Sequence, residues 1–217
     1  MWVVKLGGSM AHDPTLRAWV SVLVACPDPV VIVPGGGPFA DEVRRLQRTW
    51  LFDDVSAHAL AIQAMDLFGR VVCTLHPGLH PLYSLDVLNA ESLEHATRVW
   101  VWVPSHDVLA DLSLEASWNV TSDSLSAWLA RRIKARGLLL VKSAEPRTED
   151  TSLVTLISEG LVDRAFVEHG QRAGCPIGLL HRDRADQFDG WRAGRPGYGY
   201  VLDPAVSGLK RASGCSR

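Results

Sequence analysis

Short, continuous apolar runs alternate along the chain with segments in which apolar residues recur at helical spacing. Continuous apolar runs of this length are typical of strands buried on both faces of a parallel sheet that helices cover. Several of the runs stop at a proline, a glycine or a lysine. The sequence predicts strands at residues 1–4, 29–34, 71–75, 99–104, 137–143 and 176–180.

The segments between these runs carry the helical signals. Asp13 is placed to cap a helix that begins near Pro14. The consecutive polar residues from Thr121 are typical of another helix start. Residues 161–168 fit a helix or a loop, and residues 82–94 give no assignment. The periodicity predicts helices at residues 13–23, 39–48, 54–69 and 121–132.

Strands that alternate with helices predict an α/β protein with a largely parallel, helix-covered sheet. In such a sheet the carboxyl ends of the strands meet at one edge, where ligands bind. Three of the predicted strands end in chemically notable residues. These are Lys5 with Gly7, Gly8 and Ser9; Gly35, Gly36 and Gly37; and Lys142 with Ser143.

These strand ends suit the binding of phosphate. A lysine supplies a mobile positive charge, and glycines let backbone N–H groups approach phosphate oxygens without a Cβ in the way. A single glycine turn is equally typical of an ordinary strand-to-helix junction. Because three such ends converge on one edge, the sequence predicts a phosphate-handling site there.

Composition narrows the class of protein. The 217 residues are 47% hydrophobic and 21% charged, with a formal net charge of −2. This size predicts one domain over residues 1–203, and the frequent glycine, proline and arginine near the end predict a disordered tail at 204–217. The near-neutral charge argues against a nucleic-acid partner, and the basic run at 131–136 fits the last turn of a helix.

The cysteines argue against a metal or disulfide framework, because they form no C-x-x-C pair. We also find no signal-peptide pattern at the N-terminus and no apolar run of the length that a membrane span needs. The sequence therefore predicts a soluble, cytoplasmic protein. The four cysteines are Cys26, Cys73, Cys175 and Cys215.

Three motifs, in order along the chain, resemble those of the amino-acid kinase family, which includes acetylglutamate, aspartate, uridylate, carbamate and isopentenyl phosphate kinases. They are residues 4–9 (VKLGGS), 33–40 (VPGGGPFA) and 121–127 (TSDSLSA). The resemblance implies a three-layer αβα sandwich, usually dimeric. It also implies an N-terminal acceptor lobe at about 1–115 and a C-terminal nucleotide lobe at about 116–203.

Residues 117–124 and 140–143 resemble a narrower branch of that family. This branch includes the kinase of methanofuran biosynthesis, which converts an aminomethylfuran-methyl phosphate to its diphosphate. Many relatives continue the strand that ends at Lys142 with Val-Asp-Gly, whereas this chain has Ala144, Glu145 and Pro146. The nucleotide pocket is therefore expected to differ in shape or to be weakened.

The resemblance also implies roles for the residues at the strand ends. Lys5 would contact the transferring phosphoryl group, Asp123 would hold the lysine ammonium groups, and Lys142 would supply a second cation or bind nucleotide phosphates. For Asp123 and Lys142 the alternatives are a helix N-terminal carboxylate and a solvent-facing lysine. The remaining residues divide between nucleotide binding (Gly7, Gly8, Ser9, Thr121, Ser122, Ser143) and acceptor binding (Gly35, Gly36, Gly37).

The implied reaction is transfer of the γ-phosphoryl group of ATP to a small acceptor. Mg²⁺ would be held chiefly by phosphates and water, so no protein metal site is expected. Two alternatives stay open, a non-catalytic nucleotide or phosphometabolite sensor and an oxyanion storage protein. If the acceptor is itself a phosphate monoester, imidazoles could surround it, and the candidates are His58, His76 and His80; Trp118 is a candidate wall of the site.

Overall fold

A single sheet of nine strands runs through the described part of the chain. The computed structural model describes residues 1–88, 99–146, 151–203 and 208–211. The strands are β1 (Trp2–Leu6), β2 (Val30–Pro34), β3 (Leu79–Leu82), β4 (Val99–Trp102), β5 (Gly137–Lys142), β6 (Thr151–Ser152), β7 (Ile177–His181), β8 (Tyr200–Asp203) and β9 (Gly208–Arg211). Their order across the sheet is β3-β4-β2-β1-β5-β7-β8-β9-β6.

The first six strands in that order are parallel, and the remaining pairings are antiparallel. Strand β1 lies in the middle of the parallel part, paired with β2 on one side and β5 on the other. All five of its residues are buried. Val3 packs into one hydrophobic cluster, whereas Val4 packs into a second. Because successive side chains of a strand point to opposite faces, the sheet separates two cores.

Helices cover both faces and complete the three-layer α/β architecture. Short 3-10 helices occur at Gly8–His12, Leu85–Val87 and Ala185–Gln187. None of the described helices is both long and apolar enough to cross a membrane. The α-helices are α1 (Thr15–Val24), α2 (Gly37–Trp50), α3 (Asp54–Cys73), α4 (Ser105–Leu109), α5 (Ser122–Arg132), α6 (Leu153–Ser158), α7 (Phe166–Arg172) and α8 (Phe188–Arg192).

The strand predicted at 71–75 is wrong, because α3 continues to Cys73. Phe68 and Val72, four residues apart, are buried, while Val71 between them is 44% exposed. This is the spacing of one helix face rather than the two-residue period of a strand. The next strand, β3, begins instead at Leu79.

The C-terminal region also differs from expectation. The predicted last strand at 176–180 corresponds to β7, but β8 and β9 follow it and pair with each other antiparallel. Residues 208–211, within the predicted disordered tail, therefore belong to the sheet. The rest of that tail, 204–207 and 212–217, lies outside the described residues, as do residues 89–94 of the unassigned segment.

Candidate functional site

The three predicted strand ends meet at one edge of the sheet. The register places Leu6 of β1 opposite Pro34 of β2 and opposite Val141 of β5. The glycines that follow β1 and β2 and the lysine that ends β5 therefore reach the same level. This convergence is what the parallel order β2-β1-β5 predicts.

Asp123 bridges the two predicted lysines. Its Oδ1 lies 2.9 Å from Lys5 Nζ, and its Oδ2 accepts a hydrogen bond from Lys142 Nζ at 2.6 Å. Only 5% of Lys5, 5% of Asp123 and 9% of Lys142 is exposed. Two ammonium groups thus share one carboxylate in a nearly water-free setting, which leaves one surplus positive charge when all three groups are ionised.

Burial and charge act against each other on these groups. Burial alone would raise the pKa of Asp123, but the ammonium groups of Lys142 and Lys5 lower that pKa to about 2. Burial lowers the pKa of Lys142 to about 8, with Asp123 opposing the change and Lys5 adding to it. At neutral pH, therefore, Asp123 is ionised and Lys142 is protonated and close to its titration range.

Asp163, which was not predicted as a site residue, holds the N-terminus of α5 beside this trio. Its Oδ2 accepts hydrogen bonds from Thr121 N at 2.9 Å, Thr121 Oγ1 at 2.7 Å and Ser124 N at 3.1 Å. Its Oδ1 accepts a further bond from Ser124 Oγ. Burial and the charge of Asp123 raise the pKa of Asp163. Asp163 fixes the first turn of α5, which carries Asp123.

The two glycine loops pack backbone to backbone. A Cβ built on Gly8 would lie 2.5 Å from the backbone nitrogen of Gly37, and one built on Gly35 would lie 2.5 Å from that of Gly8. Gly37 has a φ of +55°, in the left-handed region that favours glycine. A Cβ on Gly36 would lie 2.3 Å from that of Ala40. The close packing of the two loops therefore requires glycine at Gly8 and Gly35, because a side chain there would meet backbone atoms.

A cavity of about 270 Å³ opens beside these loops. Residues predicted for the nucleotide (Gly8, Ser9, Thr121, Ser122) and for the acceptor (Gly35, Gly36, Gly37) line it together. The other lining residues are Ala40, Asp41, Arg44, His58, Ala61, Ile62, Met65, Trp118 and Val120. The cavity therefore has an amide-rich end at the glycine loops and an apolar stretch along α3.

Trp118 forms a wall of the cavity, as the sequence suggested. Its ring lies 4.2 Å from Arg44 Cζ, and its Nε1 donates a hydrogen bond of 2.7 Å to Gln47 Oε1. Gln47 in turn donates to Asp54 Oδ1 at 2.8 Å. Arg44 also pairs with Asp41 at 3.0 Å. Arg44 and Gln47, both on α2, were not predicted as site residues. They lie on a polar helix face, and such a face does not indicate a contact with the cavity wall.

The three candidate histidines separate in the structure. His58 lines the cavity and is 6% exposed. His76 accepts a hydrogen bond at Nδ1 from Gly78 N, on the turn before β3. His80 lies in β3, where its ring centroid is 5.8 Å from that of Trp100. Only the first of the three is placed to meet a ligand of this cavity.

The two remaining predicted residues, Gly7 and Ser143, lie beside the charged trio and beside the end of β7, respectively. A Cβ on Gly7 would lie 4.0 Å from Lys5 Nζ, so this glycine adjoins the charged trio. Ser143 follows Lys142, and its carbonyl accepts a hydrogen bond of 3.1 Å from His181 Nε2. Nearby, a smaller cavity of about 100 Å³ includes Glu145 and His181 in its lining. No group of three or more metal-ligating side chains occurs among the residues that the structure describes.

Comparison with known proteins shows similarity of sequence and of fold. The sequence matches the model of the amino acid kinase family over residues 1–159. The [5-(aminomethyl)furan-3-yl]methyl phosphate kinase of Methanocaldococcus jannaschii is 30% identical over 147 residues, which is 67% of this chain and 67% of that protein.

Solved structures share the fold. Uridylate kinase from Archaeoglobus fulgidus superposes with a TM-score of 0.69 at 19% identity, over 93% of this chain and 99% of that one. UMP kinase from Bacillus anthracis gives 0.63 at 11% identity, over 98% and 96% of the two chains. Aspartate kinase from Synechocystis gives 0.61 at 13% identity, over 83% of this chain and 37% of the other.

Proposed function

Because the chain belongs to the amino acid kinase family, whose members are phosphotransferases, we propose that it transfers the γ-phosphoryl group of ATP to a small phosphate monoester. The acceptor that we favour is an aminomethylfuran-methyl phosphate, as in methanofuran-type cofactor biosynthesis in one-carbon metabolism. The observation that carries the proposal is the buried Lys5–Asp123–Lys142 trio beside a cavity with two glycine loops.

The chemistry of phosphoryl transfer explains why such a trio is useful. The transition state spreads negative charge over the phosphoryl oxygens, and a phosphate acceptor brings further negative charge. Lys5 and Lys142 offer ammonium groups that Asp123 holds in place and keeps from repelling each other. A dry setting strengthens their attraction for the phosphoryl group, because little water screens it.

We assign the binding roles along the same edge. Gly35, Gly36 and Gly37 receive the acceptor phosphate, whereas Gly7, Gly8 and Ser9, together with Thr121, Ser122 and Ser143, hold the nucleotide phosphates. The first 115 residues would then form most of the acceptor lobe and residues 116–203 the nucleotide lobe. The backbone contact between the two glycine loops supports this arrangement, because it brings the two phosphate groups close together.

Bound ATP would supply the transferred group, and Mg²⁺ would neutralise its phosphates. The surplus positive charge of the trio suits a polyphosphate. Mg²⁺ would be held chiefly by the phosphates and water. We place the reaction in the cytoplasm, where ATP is available.

The test is an ATP-consumption assay with a panel of phosphate monoesters that includes [5-(aminomethyl)furan-3-yl]methyl phosphate, with Lys5→Ala as the matched variant. We expect the wild type to form a diphosphate from at least one acceptor, and Lys5→Ala to slow this by about 100- to 1,000-fold. Equal, slow turnover of every acceptor by both proteins, with nucleotide still bound, would contradict the proposal.

One observation favours a second candidate, a nucleotide or phosphometabolite sensor without transfer. Glu145, within the altered segment after Lys142, lines the small cavity next to His181 and places a carboxylate near the proposed nucleotide side. The same assay separates the two functions, because a sensor binds nucleotide without consuming it.

We also propose that the chain forms a homodimer or a higher homo-oligomer. Several large apolar side chains of α3 are exposed, among them Leu60 at 42%, Leu67 at 51% and Val71 at 44%. Exposed apolar surface of this kind is typical of a contact between subunits. Sedimentation of the wild type should give at least twice the monomer mass, and Leu67→Asp should reduce it; a monomeric wild type would contradict the proposal.

A further inference from the structure

His58 is the one buried imidazole in the cavity lining, and one of its ring nitrogens already makes a hydrogen bond within the protein. Nδ1 lies 3.2 Å from the carbonyl oxygen of Ser117. A carbonyl oxygen only accepts hydrogen bonds, so Nδ1 carries the proton and donates it. Burial also lowers the pKa of His58 and so favours the neutral ring. In this tautomer Nε2 presents a lone pair, and the one hydrogen bond that the ring makes with the described residues is through Nδ1.

The position of His58 places this lone pair far from the glycine loops. His58, Ile62 and Met65 line one side of the cavity along α3. Seven residues of helix span about 10 Å, so the backbone of His58 lies about that far along the helix axis from that of Met65. One turn further, Phe68 contacts the glycine loop, because a Cβ on Gly37 would lie 3.4 Å from its Cγ. The cavity thus runs from backbone amides, past apolar side chains, to an imidazole lone pair.

A carboxylate lies near this far end of the cavity. The carboxylate of Glu115 acts on His58 through its charge. Glu115 Oε1 accepts hydrogen bonds from Ser117 Oγ at 2.5 Å and from Asn119 Nδ2 at 2.9 Å. These bonds hold the charge on the loop that also carries the carbonyl partner of His58. A cationic donor is therefore favoured there over a neutral hydroxyl.

We propose that His58 is a specificity-determining residue that accepts a hydrogen bond, through Nε2, from an ammonium group at the end of the acceptor opposite its phosphate. The inference rests on the proposed function and deepens it by defining the acceptor class. The acceptor has an anionic group for the glycine loops, a small apolar or aromatic middle for the wall formed by Ala61, Ile62 and Met65, and a primary amine. A phosphate monoester without an amine could bind the same glycine loops but would not donate a hydrogen bond to His58 Nε2.

Binding can test the inference without turnover. Isothermal titration would compare two ligands, [5-(aminomethyl)furan-3-yl]methyl phosphate and the same furan phosphate with a methyl group in place of the aminomethyl group. In the wild type we expect the amine to bind about 10- to 100-fold more tightly, because its loss leaves Nε2 without a partner and removes a charged hydrogen bond.

A matched pair of variants then assigns the preference to Nε2. The amide of His58→Asn can reach the Ser117 carbonyl as Nδ1 does but offers nothing at Nε2, and we expect the preference for the amine to fall to about twofold. His58→Gln places an amide oxygen near Nε2, and we expect it to keep most of the preference. Ile62→Ala, which alters the apolar wall, should weaken both ligands equally.

The outcomes separate this inference from the proposed kinase. Equal binding of the two ligands by the wild type, binding of neither ligand, or the same ratio in wild type and His58→Asn would overturn the role of His58. Melting temperatures of both His58 variants show whether they remain folded, and a folded His58→Gln that loses the preference as completely as His58→Asn would also overturn it. A wild type that prefers the amine but forms no diphosphate would overturn the kinase alone.

Discussion

Gly8 and Gly37 are in direct backbone contact across two loops that follow neighbouring parallel strands, with only 2.5 Å between a Cβ built on Gly8 and the nitrogen of Gly37. A methyl group has no room at this point, because the atoms it would meet belong to backbone rather than to a flexible side chain.

We therefore expect Gly8→Ala to lower the free energy of unfolding by about 1–3 kcal/mol and to reduce turnover, since the loops must separate. Gly7→Ala is the matched control. At Gly7 the φ is −59° and a Cβ meets its nearest atoms at 3.4 Å, an ordinary contact. Urea unfolding of both variants measures the difference, and equal stability would argue against tight loop packing.

The three charged groups of the site should differ in their effect on stability. Asp123→Asn leaves two buried ammonium groups facing each other, and we expect it to cost about 3–5 kcal/mol. Lys142→Met leaves Asp123 paired with Lys5 and should cost clearly less. Chemical unfolding at neutral pH measures both, and the reverse order would show that Asp123 does not hold the lysines together.

Activity should fall in alkali as Lys142 loses its proton. Burial lowers the pKa of Lys142 to about 8, so its positive charge disappears as the pH rises through that value. We expect kcat/KM for the proposed phosphate acceptor to decline above about pH 8. Lys142→Arg keeps its charge at this pH, so any activity that this variant retains should not decline there. A wild-type profile that stays flat to about pH 9.5 would contradict the assignment.

Stability should respond to the same titration with the opposite sign. Between about pH 8 and the ordinary lysine value near 10.5, the unfolded chain binds more protons at Lys142 than the folded chain does. The contribution of this lysine to the free energy of unfolding therefore increases with pH in that window. Unfolding curves of wild type and Lys142→Met between pH 7.5 and about 10 would isolate the contribution. A loss of activity without a loss of stability there would exclude simple unfolding.

Asp163 should matter to both stability and activity although it lies outside the charged trio. Asp163→Ala removes the acceptor of four hydrogen bonds at the start of α5 and should cost about 2 kcal/mol. Because that turn positions Asp123, kcat should also fall. Asp53, whose Oδ1 accepts one bond of 2.6 Å from Ser56 N at the start of α3, is the control. Asp53→Ala should destabilise less and leave kcat unchanged; a matching loss of kcat would contradict this role of Asp163.

The sequence predicted the centre of the fold better than its margins. Strands β1, β2 and β5 are predominantly apolar runs, which are typical of a sheet covered on both faces, and their ends were enough to predict the edge of the site. Strand β3, with the sequence Leu-His-Pro-Leu, lacks that signal, and the end of α3 imitates it. Strands β8 and β9 have four residues each and follow a segment rich in glycine, proline and arginine, so the sequence pattern did not reveal them although pairing provides their hydrogen bonds.

Within the site, the sequence predicted the residues that carry a motif and missed those that depend on tertiary contact. Lys5 and Lys142 end strands, and Asp123 opens a helix, so each has a local signal. Asp163 lies 39 residues from Ser124, in a segment without periodicity. The hydroxyl residues at the start of α5 indicate that a buried acceptor is needed, but nothing local says which acid supplies it.

The central place of β1 also constrains how the protein can assemble. Strand β1 is synthesised before the other strands, yet its neighbour β5 is complete only after residue 142 has been synthesised. Contacts this distant in sequence form slowly, because a long loop must close before they contribute. An emerging chain that ends before α5 carries both glycine loops but lacks Asp123 and Lys142. The partly made protein is therefore expected to lack kinase activity, which should arise in a single late step of folding.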